Sequence, residues 1–388
     1  MNLPRDMGDY LPCTVAGESY RAYLPHPLPP EPPLEFDQAL LVLLEKANRA
    51  LGRLDGMMSL LPNINLFLYQ YVRKEAVLSS QIEGTQSSLS DLLFFEMEEA
   101  PGVPLEDVEE VSNYVAAMNH GIQRLQGGFP MSLRLLREIH AVLLSGVRGS
   151  NKCPGEFRRS QNWLGGTRPG NAAYVPPPPD RLMESLGPLE HFLNEEEPEL
   201  PVLIRTALVH VQFETIHPFL DGNGRLGRLL ITLMLWKDGV LGEPLLYLSL
   251  YFKLNRLEYY ERLQRVRTHG DWEGWLAYFL RGVDETARQV YTAARATLKL
   301  FENDRKKILT LGRLTVTGLR LHEHLQTHPL TTIAQATEKT GINRTSISRC
   351  LARLVDLGIV SELTGKHRYR TYAYTQFINM LNEDTEPL

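Results

Sequence analysis

One stretch of this 388-residue chain limits its possible folds more than any other. Thr215-Ile216-His217-Pro218-Phe219-Leu220-Asp221-Gly222-Asn223-Gly224-Arg225-Leu226-Gly227-Arg228 runs straight into the apolar Leu229-Leu230-Ile231-Thr232-Leu233-Met234-Leu235-Trp236. A glycine-rich bend that feeds a helix aims unpaired backbone amides and the positive end of the helix dipole at one point, which suits a phosphate. Gly222 and Gly224 let a ligand approach the main chain closely, and Asn223 is expected to cap the new helix. Arg225 and Arg228, three apart, share a helical face and can direct two guanidinium forks at a polyphosphate. Asp221 stands where a carboxylate is useful for holding Mg2+, a hard ion usually bound through one or two carboxylates plus substrate phosphates. Pro218 disfavours helix in the residue before it, so His217 is expected to end the preceding helix. An imidazole placed there suits a general base acting on a hydroxyl nucleophile.

Other readings of the same residues are weaker. Gly222, Gly224 and Gly227 also satisfy Gly-x-Gly-x-x-Gly, with 208–215 as a conceivable strand, but the acid that should close the next strand is missing, because Glu243 instead precedes the apolar run 244–250. No Gly-Lys-Ser/Thr follows, so the P-loop pattern is absent. A purely structural helix start explains any one residue, yet a His, an Asp, an Asn, two Arg and three Gly within twelve positions offer little packing in return.

At about 150 residues per domain the length allows two or three domains. With 43% hydrophobic and 22% charged residues, disorder and fibrous repeats are excluded. No run reaches the roughly 18 apolar residues of a membrane helix, and the acidic, proline-rich first thirty residues do not read as a secretory signal, so a cytoplasmic protein with no membrane partner is expected. Cys13, Cys153 and Cys350 form neither a disulfide framework nor a zinc knuckle. Net charge is 41 − 46 = −5, unevenly spread: residues 305–374 hold twelve Lys/Arg against four Asp/Glu, +8, leaving 29 − 42 = −13 elsewhere. A mainly α fold is expected in three parts: 1–100, 101–300 and 305–388. Residues 1–35 read as an irregular arm, with the prolines of 27–33 excluding helix interior. Apolar spacing predicts helices near 36–54, 64–83, 104–125, 132–145, 180–195, 200–216, 223–238 and 253–300. Residues 155–179 read as a β-hairpin, and 331–374 as helix, turn, helix and wing. Glu83, in the last turn of its helix, faces the negative dipole end, so a cationic partner elsewhere is expected.

The run from His217 to Arg228 resembles the signature of Fic-domain adenylyltransferases, His-x-Phe-x-Asp/Glu-Gly-Asn-Gly-Arg-x-x-Arg, with every defining position filled. The resemblance implies a Fic-type helical bundle that transfers AMP from ATP to a Ser, Thr or Tyr hydroxyl of a target protein and releases pyrophosphate. In it His217 is the catalytic base, Asp221 binds Mg2+, and the nucleotide lies along Gly222, Asn223, Gly224, Arg225, Leu226, Gly227 and Arg228, with Phe219 in the core. Doc-type relatives that phosphorylate carry Lys where Gly224 stands. Ser79-Ser80-Gln81-Ile82-Glu83-Gly84 is similar to the family's inhibitory motif, which implies that Glu83 pairs with Arg228 and misaligns ATP. Residues 155–176 resemble the flap that registers the target, with Asn162, Trp163, Leu164 and Gly165 at its edge. Asn255 and Tyr259, with Tyr260, are candidates for the adenine pocket. The basic C-terminal part resembles a winged helix-turn-helix, with Asn343 to Arg349 opening its second helix and Lys366, His367, Arg368 and Arg370 in the wing, for contact with DNA or with protein. Self-modification, a homodimer, removal of AMP through Glu83, phosphoryl transfer and a DNA-binding regulator that merely senses nucleotide stay open alternatives.

Overall fold

The computed structural model describes residues 5, 7–15, 17–58, 64–97, 105–196, 198–365 and 370–387. Two strands open the chain, β1 (Gly8–Val15) and β2 (Glu18–Pro25), paired antiparallel from Gly8 opposite Pro25 to Val15 opposite Glu18. This corrects the irregular arm expected for residues 1–35. Pro12 hides the strand pattern, but in a two-stranded sheet its missing amide can face outward. The proline-rich stretch that follows is non-helical, as expected.

Among the described residues the body is then built of α1 (Gln38–Met58), α2 (Ile64–Ile82), α3 (Leu89–Glu96), α4 (Leu105–Gln126), α5 (Leu133–Leu143), α6 (Leu182–Leu193), α7 (Val202–Ile216), α8 (Asn223–Lys237), α9 (Ser249–Leu254), α10 (Arg256–His269) and α11 (Trp272–Ile308). Some of their starts carry side-chain caps. Ser88 and Asp91 form a reciprocal capping box at α3, and Ser132 caps α5. The single helix expected over 253–300 is corrected to three. Asn255 leaves helical geometry between α9 and α10, Gly270 ends α10 at φ 63°, and Asp271 caps α11.

The centre of the body is the hairpin of α7 and α8. Every residue of α7 from Leu203 to Ile216 is buried, as is nearly all of α8. α4, α5 and α6 pack around this pair, α2 lies against α4 and α9, and α1 runs along α11. A helix buried on all sides must sit inside a core, and α7 and α8, buried around nearly their whole circumference, are central.

Beyond α11 come α12 (Thr315–Thr327), β3 (Leu330–Thr332), α13 (Ile333–Thr340), α14 (Arg344–Asp356), β4 (Ser361–Glu362), β5 (Thr371–Ala373) and α15 (Thr375–Asn382). The three strands form one antiparallel sheet in the order β3-β5-β4. Asn343 caps α14, and Thr332 with Gln335 forms a capping box at α13. Lys366, His367 and Arg368 lie outside the described residues. No helix among the described residues is long and apolar enough to cross a membrane.

Candidate functional site

The bend between α7 and α8 is fixed by both helices and by the segment from 155 to 179. His217 ends α7 in a left-handed conformation, φ 49°, its amide donating to the Phe213 carbonyl at 2.9 Å. Its own carbonyl accepts from Arg158 Nε at 2.9 Å and from Asn162 Nδ2 at 3.3 Å. Asn162 Nδ2 also donates to the Phe219 carbonyl at 2.9 Å. Phe219 is fully buried and stacks on His140 with ring centroids 3.7 Å apart.

Asn223 does not cap α8, which corrects the sequence expectation. Gly222, at φ 75°, is the capping position, and Asn223 is the first helical residue. Its side chain reaches back across the bend, accepting from the Phe219 amide and donating to the Phe219 carbonyl, both at 2.9 Å. The bend is therefore tied to its own helix before any ligand arrives.

The charged groups separate into two clusters. Asp221 Oδ1 accepts from the Gly222 amide at 2.6 Å and lies 3.5 Å from Arg225, with the Asp221 side chain 36% exposed. Arg225 is buried and pairs with Glu110 at 2.8 Å. Arg228, also buried, turns the other way: Nε donates to Ser79 Oγ at 2.9 Å, and NH2 donates to the Ser79 carbonyl at 3.0 Å and to Glu83 Oε1 at 2.7 Å. The cationic partner expected for Glu83 is thus Arg228. Burial opposes charge on Glu83, yet the Arg228 guanidinium holds its carboxyl below the ordinary value. A methyl group on Gly224 would collide with Glu83 Oε1, so the carboxylate fills the space that this glycine leaves above the helix start. Gly84, at φ 104°, turns the chain away immediately after Glu83.

Burial, reinforced by the nearby positive charges of Arg267 and Arg158, pushes the His217 imidazole down to about 3, so it is neutral at pH 7. Its Nδ1 faces Glu214 Oε2 at 3.9 Å, and burial raises the Glu214 carboxyl to about 7.

Two residues of the expected nucleotide run, Leu226 and Gly227, also serve the packing of the hairpin. Leu226 is fully buried and its amide already donates to the Gly222 carbonyl. Gly227 is the close-packing point of the hairpin: a methyl group there would strike Glu214, and its carbonyl accepts from His210 Nδ1 at 3.1 Å. Since Nδ1 of His210 is thereby the donor, Nε2 accepts from the Tyr259 hydroxyl at 2.8 Å. Tyr259 is buried and sits against Phe252 and Trp275. It walls the site from within the core, and Tyr260, 43% exposed, is the tyrosine with a free face. Asn255 is half-buried, its Nδ2 donating to the Tyr251 carbonyl at 3.0 Å.

The expected β-hairpin over 155–179 is reduced to one antiparallel bridge, Leu164 with Tyr174. Gly165 and Gly166 both have positive φ and turn the strand out of register immediately beyond Leu164. Trp163 is 37% exposed at this edge. The segment is anchored at its base by Arg158, whose NH2 reaches the Pro177 carbonyl at 2.5 Å, and by the Tyr174 hydroxyl, which donates to the Thr215 carbonyl at 2.6 Å.

Sequence reasoning missed His140. Its Nδ1 accepts from the Gly155 amide at 2.9 Å, so Nε2 carries the proton and donates to the Asp221 carbonyl at 3.0 Å. One neutral ring joins the base of the 155–179 segment to the bend. The available signal was a lone histidine on the apolar face of the amphipathic run 133–143. Glu110 and Arg267 carried no local signal, because the partners that place them at the bend, Arg225 and Glu214, are more than fifty residues away in the chain.

Residues 41–123 match the family model described as Fic/DOC family N-terminal, and residues 130–235 match that described as Fic/DOC family. A protein adenylyltransferase Fic from Drosophila grimshawi is 33% identical over 139 residues, covering 36% of this chain and 27% of that protein. One of the same name from Culex quinquefasciatus is 36% identical over 142 residues, covering 36% of this chain and 25% of its own. The chain spans about a quarter of the length of these curated relatives. The crystal structure of a Fic family protein from Desulfovibrio desulfuricans G20 aligns with a TM-score of 0.57 at 18% identity, over 88% of this chain and 98% of that one. That likeness is one of fold.

Proposed function

For a chain that carries both the N-terminal and the core domain of the Fic/DOC family, we propose protein adenylyl transfer: AMP passes from ATP to a Ser, Thr or Tyr hydroxyl of a target protein, and pyrophosphate leaves. The observation that carries the reading is a neutral His217 fixed beside a glycine bend at the start of a buried helix. In the reaction the target oxygen bonds to the α-phosphorus, the bond from that phosphorus to the bridging oxygen breaks toward pyrophosphate, and the hydroxyl proton passes to the His217 imidazole. The bend supplies amides to the phosphates, and Arg225 and Arg228 stand within the first two turns to balance their charge. The 155–179 segment, with Asn162, Trp163, Leu164 and Gly165, offers an edge for an extended target peptide.

Asp221 fits Mg2+ by the chemistry of its donor set. Among the described residues no group of three or more metal-binding side chains exists, and Asp221 is a single, partly exposed carboxylate at the anion site. That matches an ion held by one carboxylate and the substrate's own phosphates, which when bound neutralises charge on those phosphates.

Glu83 restrains the site in this reading. Its carboxylate lies in the space above Gly224 and occupies Arg228, so a triphosphate would have to displace it. The test uses ATP labelled at the α-phosphate, with intact mass as a second measure. Glu83→Gly gains an AMP-sized increment on itself or on an added protein, and His217→Ala in the Glu83→Gly background loses transfer by about 10²- to 10⁴-fold. Label that moves only from the γ-phosphate, or equal activity without His217, overturns the assignment.

For residues 305–388 the same reading takes a winged helix-turn-helix. Support comes from the order α13, α14, β4, β5 and from the exposed Arg344 and Arg349 on α14. Retention of a labelled duplex that weakens with added salt would favour DNA over a protein partner.

A further inference from the structure

After α15, the chain returns from the helices and strands beyond α11 to the body. Asn382 ends α15, and residues 383–386 then make a turn against α2 and α9, with the Thr385 amide donating to the Asn382 carbonyl at 2.9 Å and Asp384 at φ 65°. They are gripped mainly through their carbonyls. Lys74 Nζ donates to Glu383 O at 2.6 Å, Gln81 Nε2 to Thr385 O at 2.7 Å, and Lys253 Nζ to Asp384 O at 3.3 Å and to Glu386 O. Asn382 Nδ2 donates to Ser90 Oγ at 2.6 Å. Thr385 is fully buried, and Lys74, Gln81 and Lys253 are each less than a tenth exposed. Among the described residues neither lysine has a carboxylate within 4.0 Å, so main-chain oxygens satisfy two ammonium groups that burial makes expensive to leave unmatched. The acidic side chains of Glu383, Asp384 and Glu386 add a complementary charge.

Gln81 links this grip to the site. The same Nε2 donates to the Ser87 carbonyl at 2.7 Å, beyond the Gly84 turn, and Glu83 lies two residues after Gln81. One buried amide therefore ties the segment to both sides of the turn that presents Glu83 to Arg228.

We infer that the groove formed by Lys74, Gln81 and Lys253 is a docking site for an acidic turn, that residues 383–386 of this chain fill it, and that their occupancy holds Glu83 over Gly224. Main-chain recognition by buried lysines selects a turn that points its carbonyls at them, and the lysine charge selects an acidic one. Movement of α15 with the helices and strands beyond α11 would draw the segment out, leave two lysines and an amide for water to solvate, and free the Gly84 turn. The regulatory part rests on the reading of Glu83 as a restraint. The groove itself does not.

The experiment compares the full chain with a chain ended after Asn382. Hydrogen exchange at the amides of residues 79–85 speeds up in the shortened chain, and AMP transfer rises by about tenfold toward the level of Glu83→Gly. A synthetic peptide of residues 382–387 binds the shortened chain in calorimetry and restores slow exchange and low transfer, whereas the same residues in scrambled order do neither. If the shortened chain does not fold, full-length Thr385→Trp, too large for the buried position, takes its place with the same expectation. Unchanged exchange at 79–85 in a folded variant, or no peptide binding, overturns the groove. Basal transfer in the shortened chain beside an active Glu83→Gly overturns the regulatory link. An inactive Glu83→Gly sinks the adenylyl-transfer reading instead, with exchange and calorimetry still deciding the groove.

Discussion

Arg228 meets three acceptors from the end of α2 and the turn after it, two on Ser79 and one on Glu83, and this division separates charge from position. Glu83→Gln keeps an acceptor near Arg228 but removes the charge, and Glu83→Gly removes both. A triphosphate competes for Arg228 against a charge in the wild type, against a dipole in the glutamine variant and against nothing in the glycine variant. AMP transfer should rise in that order. Because the Glu83 side chain is about a third exposed, at 32%, the pair's loss should cost only about 1 kcal/mol of stability, seen as a fall of a few degrees in Tm. A glutamine variant no more active than wild type would mean that shape, not charge, blocks the site.

At the level of elements, the hairpin of α7 and α8 is held at its narrowest point by Gly227. A methyl group there would strike Glu214 and lie 3.2 Å from Phe213. Gly227→Ala should therefore cost about 1–3 kcal/mol in thermal denaturation and lower transfer with it, since His217 follows Glu214 by three residues. An unchanged Tm would show that the helices can separate freely. These helices were the most legible part of the sequence, because a long apolar run bounded by Pro218 and three glycines admits few other structures. Caps were less legible: α3, with a full capping box at Ser88 and Asp91, was absent from the expected helices. What stayed hidden depended on distant partners: β1 and β2 behind Pro12, the single bridge of the 155–179 segment, and the breaks at Asn255 and Gly270 inside a continuous helical pattern. At the site the pattern gave the residue types at the bend. It did not show that Asn223 braces the loop, that Leu226 and Gly227 serve packing, or that His140 joins two segments, because each depends on a contact made only in the folded chain.

For the molecule as a whole, buried histidines set the response to acid. Burial keeps His140, His322 and His324 at about 4 and His210 and His217 at about 3, all below the ordinary 6.5. Between pH 6.5 and those values the unfolded chain binds these protons and the folded one does not, so stability falls as pH falls. Glu75 and Glu214, raised by burial to about 7, act the opposite way between 4.5 and 7, because there the folded state holds their protons. His328, lowered by burial, joins the histidines, and Glu110 and Glu243, raised by burial, join the other side, so six groups oppose four and Tm should drop from about pH 7 to about pH 5. A flat or rising profile over that range would mean that the histidines are solvated.

The left-handed backbone at His217 bears on how such a site can be engineered. A β-carbon in that region costs on the order of 1–2 kcal/mol that a glycine would not. A search for sturdier variants of this chain should therefore drift toward glycine at position 217 and discard the imidazole as it does so, selecting durable proteins that have lost their chemistry.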